Sequence, residues 1–97
     1  NIGLLYEKIG QNEIALTYCE KAHKILAQIL STHDPYLATS FNNLALAQYR
    51  NKQFAAALEN FHKALFIFSQ TLPMNDPKIA QVQHNIADVN AEIARNS

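Results

Sequence analysis

The chain repeats its own pattern at a spacing of forty-two residues. Asn1, Asn43 and Asn85 mark the same point in three successive units. The same shift superimposes other identical residues, among them Ala15 on Ala57, Lys21 on Lys63, Ala22 on Ala64, Asp34 on Asp76 and Pro35 on Pro77. Recurrence at this length is typical of a solenoid, in which each unit is one supersecondary element that packs on its neighbours. We call two residues forty-two positions apart counterparts.

Two aspartate-proline pairs fix the starts of two helices. In Asp34-Pro35 and Asp76-Pro77 a good N-cap residue precedes a proline at the first helical position, where the missing N–H group costs nothing. Apolar residues keep helical spacing from Pro35 to about residue 50, from residue 54 to about 71, and from Pro77 to about residue 95. No segment has the alternating pattern of a strand.

Shifting these helices back by one period predicts two more. A short helix is expected at residues 1–9, then a turn at Gly10, then a long helix from about Asn12 to Leu30. Its predicted packing stripe is Ala15, Cys19, Ala22, Leu26 and Ile29. The predicted fold is therefore an all-α superhelix of antiparallel helix pairs with five helices. Repeat 1 spans about 1–33 with a truncated first helix, repeat 2 spans about 34–75, and a capping helix spans about 76–96.

Alanine recurs where two helices of a pair should approach most closely. Ala15 and Ala22 are the counterparts of Ala57 and Ala64. A methyl side chain lets two helix backbones approach to the short end of the usual interaxial distance. All four alanines are therefore expected to be packed between helices.

The composition excludes several classes of function. Eight basic and eight acidic residues cancel, and no basic face suited to phosphates is visible, so a nucleic-acid partner is not expected. The longest apolar runs, such as residues 64–68, are far shorter than the roughly 20 residues of a membrane helix. The single cysteine, Cys19, rules out an internal disulfide and favours a reducing compartment, so a cytoplasmic location is predicted.

The sequence offers no constellation for catalysis or for a metal. The four histidines, His23, His33, His62 and His84, lack the short ligand spacing of a zinc site. Cys19 occupies a core position of its helix with no histidine placed to activate it. Paired carboxylates, glycine-rich phosphate loops and nucleophile elbows are not found. We therefore predict a protein that is not an enzyme, with no cofactor and no metal.

With catalysis and metal binding not expected, the remaining function that the sequence pattern supports is recognition of another protein. In a superhelix of helix pairs the first helix of each pair lines the concave surface. Residues that helical geometry places there are Thr39, Asn42, Asn43, Leu46, Tyr49 and Arg50 in the second unit, Gln81, His84, Asn85, Asp88 and Glu92 in the third, and Asn1, Leu4, Glu7 and Lys8 in the first. An asparagine carboxamide has both a donor and an acceptor, which suits the backbone of an extended peptide.

The stretch Asn42-Asn43-Leu44-Ala45, followed by Phe54, Ala57, Phe61 and Ala64-Leu65, resembles the tetratricopeptide repeat. The opening "NNLA" and the Asp-Pro before it resemble the forty-two-residue repeat of kinesin light chains. Lys52 departs from this pattern, because the family usually has glycine there, which Gly10 keeps. The second turn is therefore expected to be tighter or differently shaped.

The resemblance implies a role for three asparagines as well as a fold. Repeats of this family use such asparagines, here Asn1, Asn43 and Asn85, as clamps on the backbone of a bound peptide. The alternative is that these asparagines bond neighbouring helices or each other and preserve the superhelix. Repeats that hold a C-terminal carboxylate need lysines in the groove, where Leu46 and Asp88 stand. A peptide with an apolar anchor and mixed charge is therefore expected, not a chaperone tail.

The two ends of the chain predict different surroundings. Gln83 and Asn90 make the outer face of the last helix polar, as in a capping helix. Asn1 begins partway into a helix with no cap, so further repeats are expected upstream. The leading prediction is a peptide-binding adaptor module. The rival is a structural spacer, or a domain that associates with itself through the uncapped first helix; otherwise a monomer is expected.

Overall fold

The computed structural model describes residues 2–96, with side chains from Gln11 onward, and this part of the chain forms four helices. They are α1 (Ile2–Ile29), α2 (Pro35–Arg50), α3 (Phe54–Thr71) and α4 (Pro77–Asn96). No strand occurs among these residues. The principal contacts join α1 to α2, α2 to α3 and α3 to α4, so each helix packs on its neighbour in sequence. The all-α prediction is confirmed.

Aspartate caps begin α2 and α4 as the sequence predicted. Oδ1 of Asp34 accepts a hydrogen bond from the backbone N–H of Tyr36 at 2.8 Å, and Oδ1 of Asp76 accepts one from Lys78 at 2.9 Å. Each bond satisfies one of the backbone donors that the first turn of a helix leaves without a partner. Helices α2 and α4 therefore begin at equivalent positions of the repeat.

The turn between α2 and α3 is held by the side chain of Asn51. Its Nδ2 donates to the backbone oxygen of Ala47 at 2.9 Å and to that of Asn12, in α1, at 2.8 Å. Lys52 follows with φ of 62°, in the left-handed region. A lysine therefore adopts here the conformation for which glycine is the usual residue. The expectation of a tighter or differently shaped turn thus stays a prediction, with Lys52 in the left-handed region.

Replacing Lys52 by glycine should raise the free energy of unfolding by about 0.5–1 kcal/mol. A non-glycine residue costs roughly 1–2 kcal/mol in the left-handed region, and the extra freedom of glycine in the unfolded chain offsets part of that gain. Urea denaturation followed by circular dichroism measures the change. Lys52→Ala is the control, because it keeps the Cβ atom. Equal stability of the glycine and alanine variants would contradict this account.

The prediction of five helices is wrong in one place, because α1 passes through Gly10 without a turn. One glycine costs only about 1 kcal/mol inside a helix, which does not end it. The turn after α2 has in addition the bonds of Asn51. Its counterpart, Ile9, has no polar side chain that could make them. The two predicted segments at residues 1–9 and 12–30 are therefore one continuous helix.

The main core lies between α2, α3 and α4. Its fully or almost fully buried members are Ala38, Ala45, Ala57, Phe61, Ala64, Ile67, Phe68, Ile79, Val82 and Val89. The antiparallel course of α2 and α3 follows from their contacts: Tyr49 meets Phe54 beside the turn, and Lys63 lies over Phe41 further from it. The predicted alanines Ala57 and Ala64 have no exposed surface.

The corresponding prediction for α1 is wrong. Ala15, Ala22 and Ile29 are exposed, and Cys19 and Leu26 are only half-buried. The reason is the straight course of α1, which carries residues 2–9 away from the face that the first helix of a pair would cover. Helix α1 packs instead on α2, where Leu16 joins Leu44 and Ala47.

A polar contact accompanies this α1–α2 packing. Nδ1 of His23 lies 3.0 Å from Oγ of Ser40, and the imidazole packs against Phe41 with ring centroids 4.3 Å apart and ring planes tilted by 53°. Burial, and then the positive charge of Lys63, lowers the pKa of His23. The neutral ring is therefore the form that the packing favours. This contact also gives the largely buried Ser40 hydroxyl a partner.

Candidate functional site

A groove between α2 and α4 contains a cavity of about 280 Å³. Phe68 of α3 contributes to its wall, and the two flanking helices supply the rest. The lining residues are Thr39, Asn42, Asn43 and Leu46 from α2, Lys78, Gln81 and Val82 from α4, and Phe68. Thr39, Asn42, Asn43, Leu46 and Gln81 were all predicted to face the concave surface. The structure therefore brings together polar side chains of two successive units around an apolar base.

The asparagines of the groove differ in their environment. Asn43 is exposed, whereas Asn42 and Asn85 are half-buried. Nδ2 of Asn85 donates to Oδ1 of Asn42 over 3.5 Å, which is long for such a bond. This contact joins α2 to α4, as the alternative structural interpretation expects for Asn85. Asn43 in contrast presents its carboxamide to solvent within the groove.

Asn43 also borders a second cavity, between α1 and α2. This cavity has a volume of about 480 Å³ and is lined by Cys19, Ala22, Leu26, Leu30, Tyr36, Thr39, Ser40 and Asn43. Asn43 and Thr39 thus stand between two adjoining hollows on one side of α2. A ligand longer than the α2–α4 cavity could extend across Asn43 toward α1.

Asn85 does not line the α2–α4 cavity, and neither do the predicted site residues Tyr49, Arg50, His84 and Asp88. Tyr49 packs edge-on against Phe54 with ring centroids 5.7 Å apart, beside the main core. Arg50 is exposed in the last turn of α2, where a positive charge complements the helix dipole. His84 and Asp88 are exposed on α4, with Nε2 and Oδ2 3.5 Å apart.

Two more predicted site residues have no described geometry. Asn1 and the side chain of Lys8 lie outside the residues that the structure describes. The same holds for the side chains of Leu4 and Glu7. The groove geometry therefore rests on residues of α2, α3 and α4.

Sequence reasoning missed Lys78 as a groove residue. Its backbone N–H is held by the Asp76 cap, and the residue lines the cavity with Gln81. The available signal was its spacing, because residues 78, 81 and 85 lie at i, i+3 and i+7 and share one helical face. Lys78 adds a positive charge at the α4 entrance of the groove.

A larger cavity, of about 580 Å³, opens on the opposite face of α2. It is lined mainly by apolar and aromatic residues and by the aliphatic part of Lys63; the residues are Thr32, Leu37, Phe41, Glu59, His62, Lys63, Phe66 and Ile67. The ring of Phe41 is already covered by His23 and by Lys63, whose Nζ lies 5.6 Å from the ring centroid. This hollow offers few groups that could pair with a peptide backbone, in contrast to the α2–α4 groove.

The chemistry available in the groove is hydrogen bonding, apolar contact and one positive charge. Among the described residues, no group of three or more His, Cys, Asp or Glu side chains is placed to hold a metal ion. None of the described helices combines the length and apolar character that crossing a lipid bilayer requires. The arrangement suits recognition of another molecule's backbone and side chains.

The chain matches the tetratricopeptide repeat family over residues 1–70, which include the helix pair α2–α3 and its Asp34 cap. It therefore belongs to the tetratricopeptide repeat family. Members of this family are in general modules of protein–protein interaction and typically have no catalytic activity. No curated protein matches the chain.

Proposed function

We propose that this domain is an adaptor module that binds an extended peptide of a partner protein in the groove between α2 and α4. The observation that carries the proposal is the cavity in which Asn42, Asn43, Leu46 and Gln81 meet. These residues come from two successive units, and Gln81 is the counterpart of Thr39, which also lines the cavity. The "NNLA" motif and the period of the repeat support membership of the kinesin-light-chain type.

The groove suggests how a peptide is held. The exposed carboxamide of Asn43 donates to a peptide carbonyl and accepts from a peptide N–H. Half-buried Leu46 offers contact to an apolar side chain, together with Val82 and Phe68. Lys78 attracts an acidic residue at the α4 entrance. The preferred ligand is thus an extended segment with an apolar anchor and an acidic residue, from a protein in the same cytoplasmic compartment.

Replacing Asn43 and Asn85 together by alanine should weaken binding of such a peptide at least tenfold. The loss of a hydrogen bond to a buried peptide group costs about 1–3 kcal/mol, and about 1.4 kcal/mol is a factor of ten in affinity. Peptides are first mapped from partners captured by the full-length protein. Titration calorimetry with the strongest of them then measures the dissociation constant of each variant.

Asn90→Ala is the matched control, because Asn90 is exposed on α4 and does not line the cavity. It should bind like the parent chain. Circular dichroism must show unchanged helix content in all variants, since Asn85 also bonds Asn42. An unchanged dissociation constant in a folded double variant would show that the peptide binds elsewhere.

A further inference from the structure

Helix α1 carries an apolar stripe that no other helix covers within the described part of the chain. Its members, all exposed, are Ile14, Ala15, Tyr18, Ala22, Ile25 and Ile29. Tyr18 and Ile29 have 70% and 71% of their surface accessible. The large apolar side chains exposed elsewhere, such as Phe66 and Met74, are spread over other helices and loops. We call these six residues the open stripe.

Three of the six counterparts of the open stripe are covered by a helix. Ala57, Ala64 and Ile67 correspond to Ala15, Ala22 and Ile25. All three are buried in the main core, where α2 packs along α3. The same residue types at the same spacing are therefore solvent-accessible in α1 and covered in α3. The difference is the presence of a packed helix, not the character of the surface.

The spacing of the stripe suits pairing with an identical helix. Ala15, Tyr18, Ala22, Ile25 and Ile29 follow one another at intervals of three, four, three and four residues, which is the a/d pattern of a coiled coil. In an antiparallel pair centred between Tyr18 and Ala22, each Ala22 faces Tyr18 of the other copy. Each Ala15 then faces Ile25 of the other copy. Small residues thus meet large ones in these two kinds of layer, and Ile29 faces Gln11 of the other copy.

We propose that two copies of this chain associate through the open stripes of their α1 helices, antiparallel and about a two-fold axis. Such an interface is isologous, so Ala15, Tyr18, Ala22 and Ile25 of each stripe supply both the small and the large side chains of the central layers. The stripe carries no charged residue, and the chain has a net charge of zero, so no long-range repulsion opposes encounter. The α2–α4 groove shares no residue with the stripe, whereas Ala22 also lines the adjoining α1–α2 cavity.

One flanking residue opposes the pairing and gives it a salt dependence. Lys21 adjoins the stripe, and in the antiparallel arrangement the two copies of Lys21 lie beside the axis. Like charges at this distance repel, and added salt screens them. The dimer should therefore become stronger as the ionic strength rises.

Sedimentation equilibrium across micromolar to millimolar concentrations tests the proposal on the 97-residue chain. The parent should show a reversible monomer–dimer equilibrium. Ala22→Glu should weaken it at least tenfold, because two carboxylates would be buried against tyrosine rings. Ala27→Glu is the matched control, since Ala27 is exposed on α1 outside the stripe and its counterpart Ser69 is exposed as well. A parent chain that stays monomeric overturns the proposal, as does a dimer that tolerates Ala22→Glu.

A charge-swap mixture tests the register. Tyr18→Lys should weaken self-association as Ala22→Glu does. Mixed in equal amounts, the two variants should form a heterodimer, because the introduced ammonium lies opposite the introduced carboxylate in one layer and the other layer is unchanged. Restored association supports the antiparallel pairing centred between these positions. A mixture that stays monomeric, while the Ala27→Glu chain dimerises, overturns that register.

Discussion

Replacing Phe61 by alanine should lower the free energy of unfolding by about 3–5 kcal/mol, the range for large aromatic side chains in a core. Phe61 has no exposed surface and is among the largest fully buried side chains of the described residues. It lies where α3 packs on its neighbours, so the cavity cannot fill with water or close without moving a helix. Since domains of this kind are stable by about 5–15 kcal/mol, the variant should be close to unfolding at 37 °C.

The repeat supplies the control for this substitution. Cys19 is the counterpart of Phe61 in α1, and it is only half-buried. Cys19→Ala should therefore cost no more than about 1 kcal/mol. Chemical denaturation curves for both variants give the comparison directly. If both losses are equal, the core is not confined to α2, α3 and α4 as the burial indicates.

Replacing Ala57 by leucine should destabilise the chain by about 1–3 kcal/mol through overpacking. Ala57 is completely buried between α2 and α3, and three extra carbon atoms would force the two helices apart. The loss should appear as a lower denaturation midpoint with an unchanged slope, because the surface exposed on unfolding stays similar.

Ala15→Leu is the matched substitution, because Ala15 is the counterpart of Ala57 and is exposed. At a concentration where the chain is monomeric, its stability should stay within about 0.5 kcal/mol of the parent. Comparing the two variants separates the effect of the residue type on stability from the effect of packing. A destabilising Ala15→Leu, or an Ala57→Leu variant that melts like the parent, would contradict the packing described for these two helices.

Local chemistry made most helix bounds predictable. The Asp34 and Asp76 caps and the prolines that follow them act within a few residues, so the starts of α2 and α4 could be predicted from sequence alone. The burial of Ala57 and Ala64 was predictable for a related reason, because α2 is joined to α3 by a turn that Asn51 holds.

The sequence predictions fail where a local turn signal acts only with support from tertiary contacts. Gly10 resembles a turn residue, but α1 continues through it, since the counterpart of Asn51 is an isoleucine. Ala15 and Ala22 are exposed, because no helix of the described residues covers that face of α1. Lys52 shows the opposite case, in which the turn imposes a left-handed conformation on a residue that does not favour it.

The face of α2 that lines the groove could be predicted from the sequence, but the cavity that this face forms with α4 could not. The period placed Asn42, Asn43 and Leu46 on the exposed side of their helix, and the structure gathers them in one cavity. Tyr49 shares the helix, but its contact with Phe54 depends on the turn, which periodicity does not describe. Lys78 belongs to the cavity because of how α4 lies beside α2.

The sequential order of helix contacts has a consequence for how the domain opens. Helix α4 is joined to the rest mainly through α3, so it can detach with the loss of one interface while the α2–α3 pair stays folded. A ligand that spans α2 and α4 would add a second attachment. Occupancy of the groove would then couple α4 to the α2–α3 pair, so that the three helices unfold together.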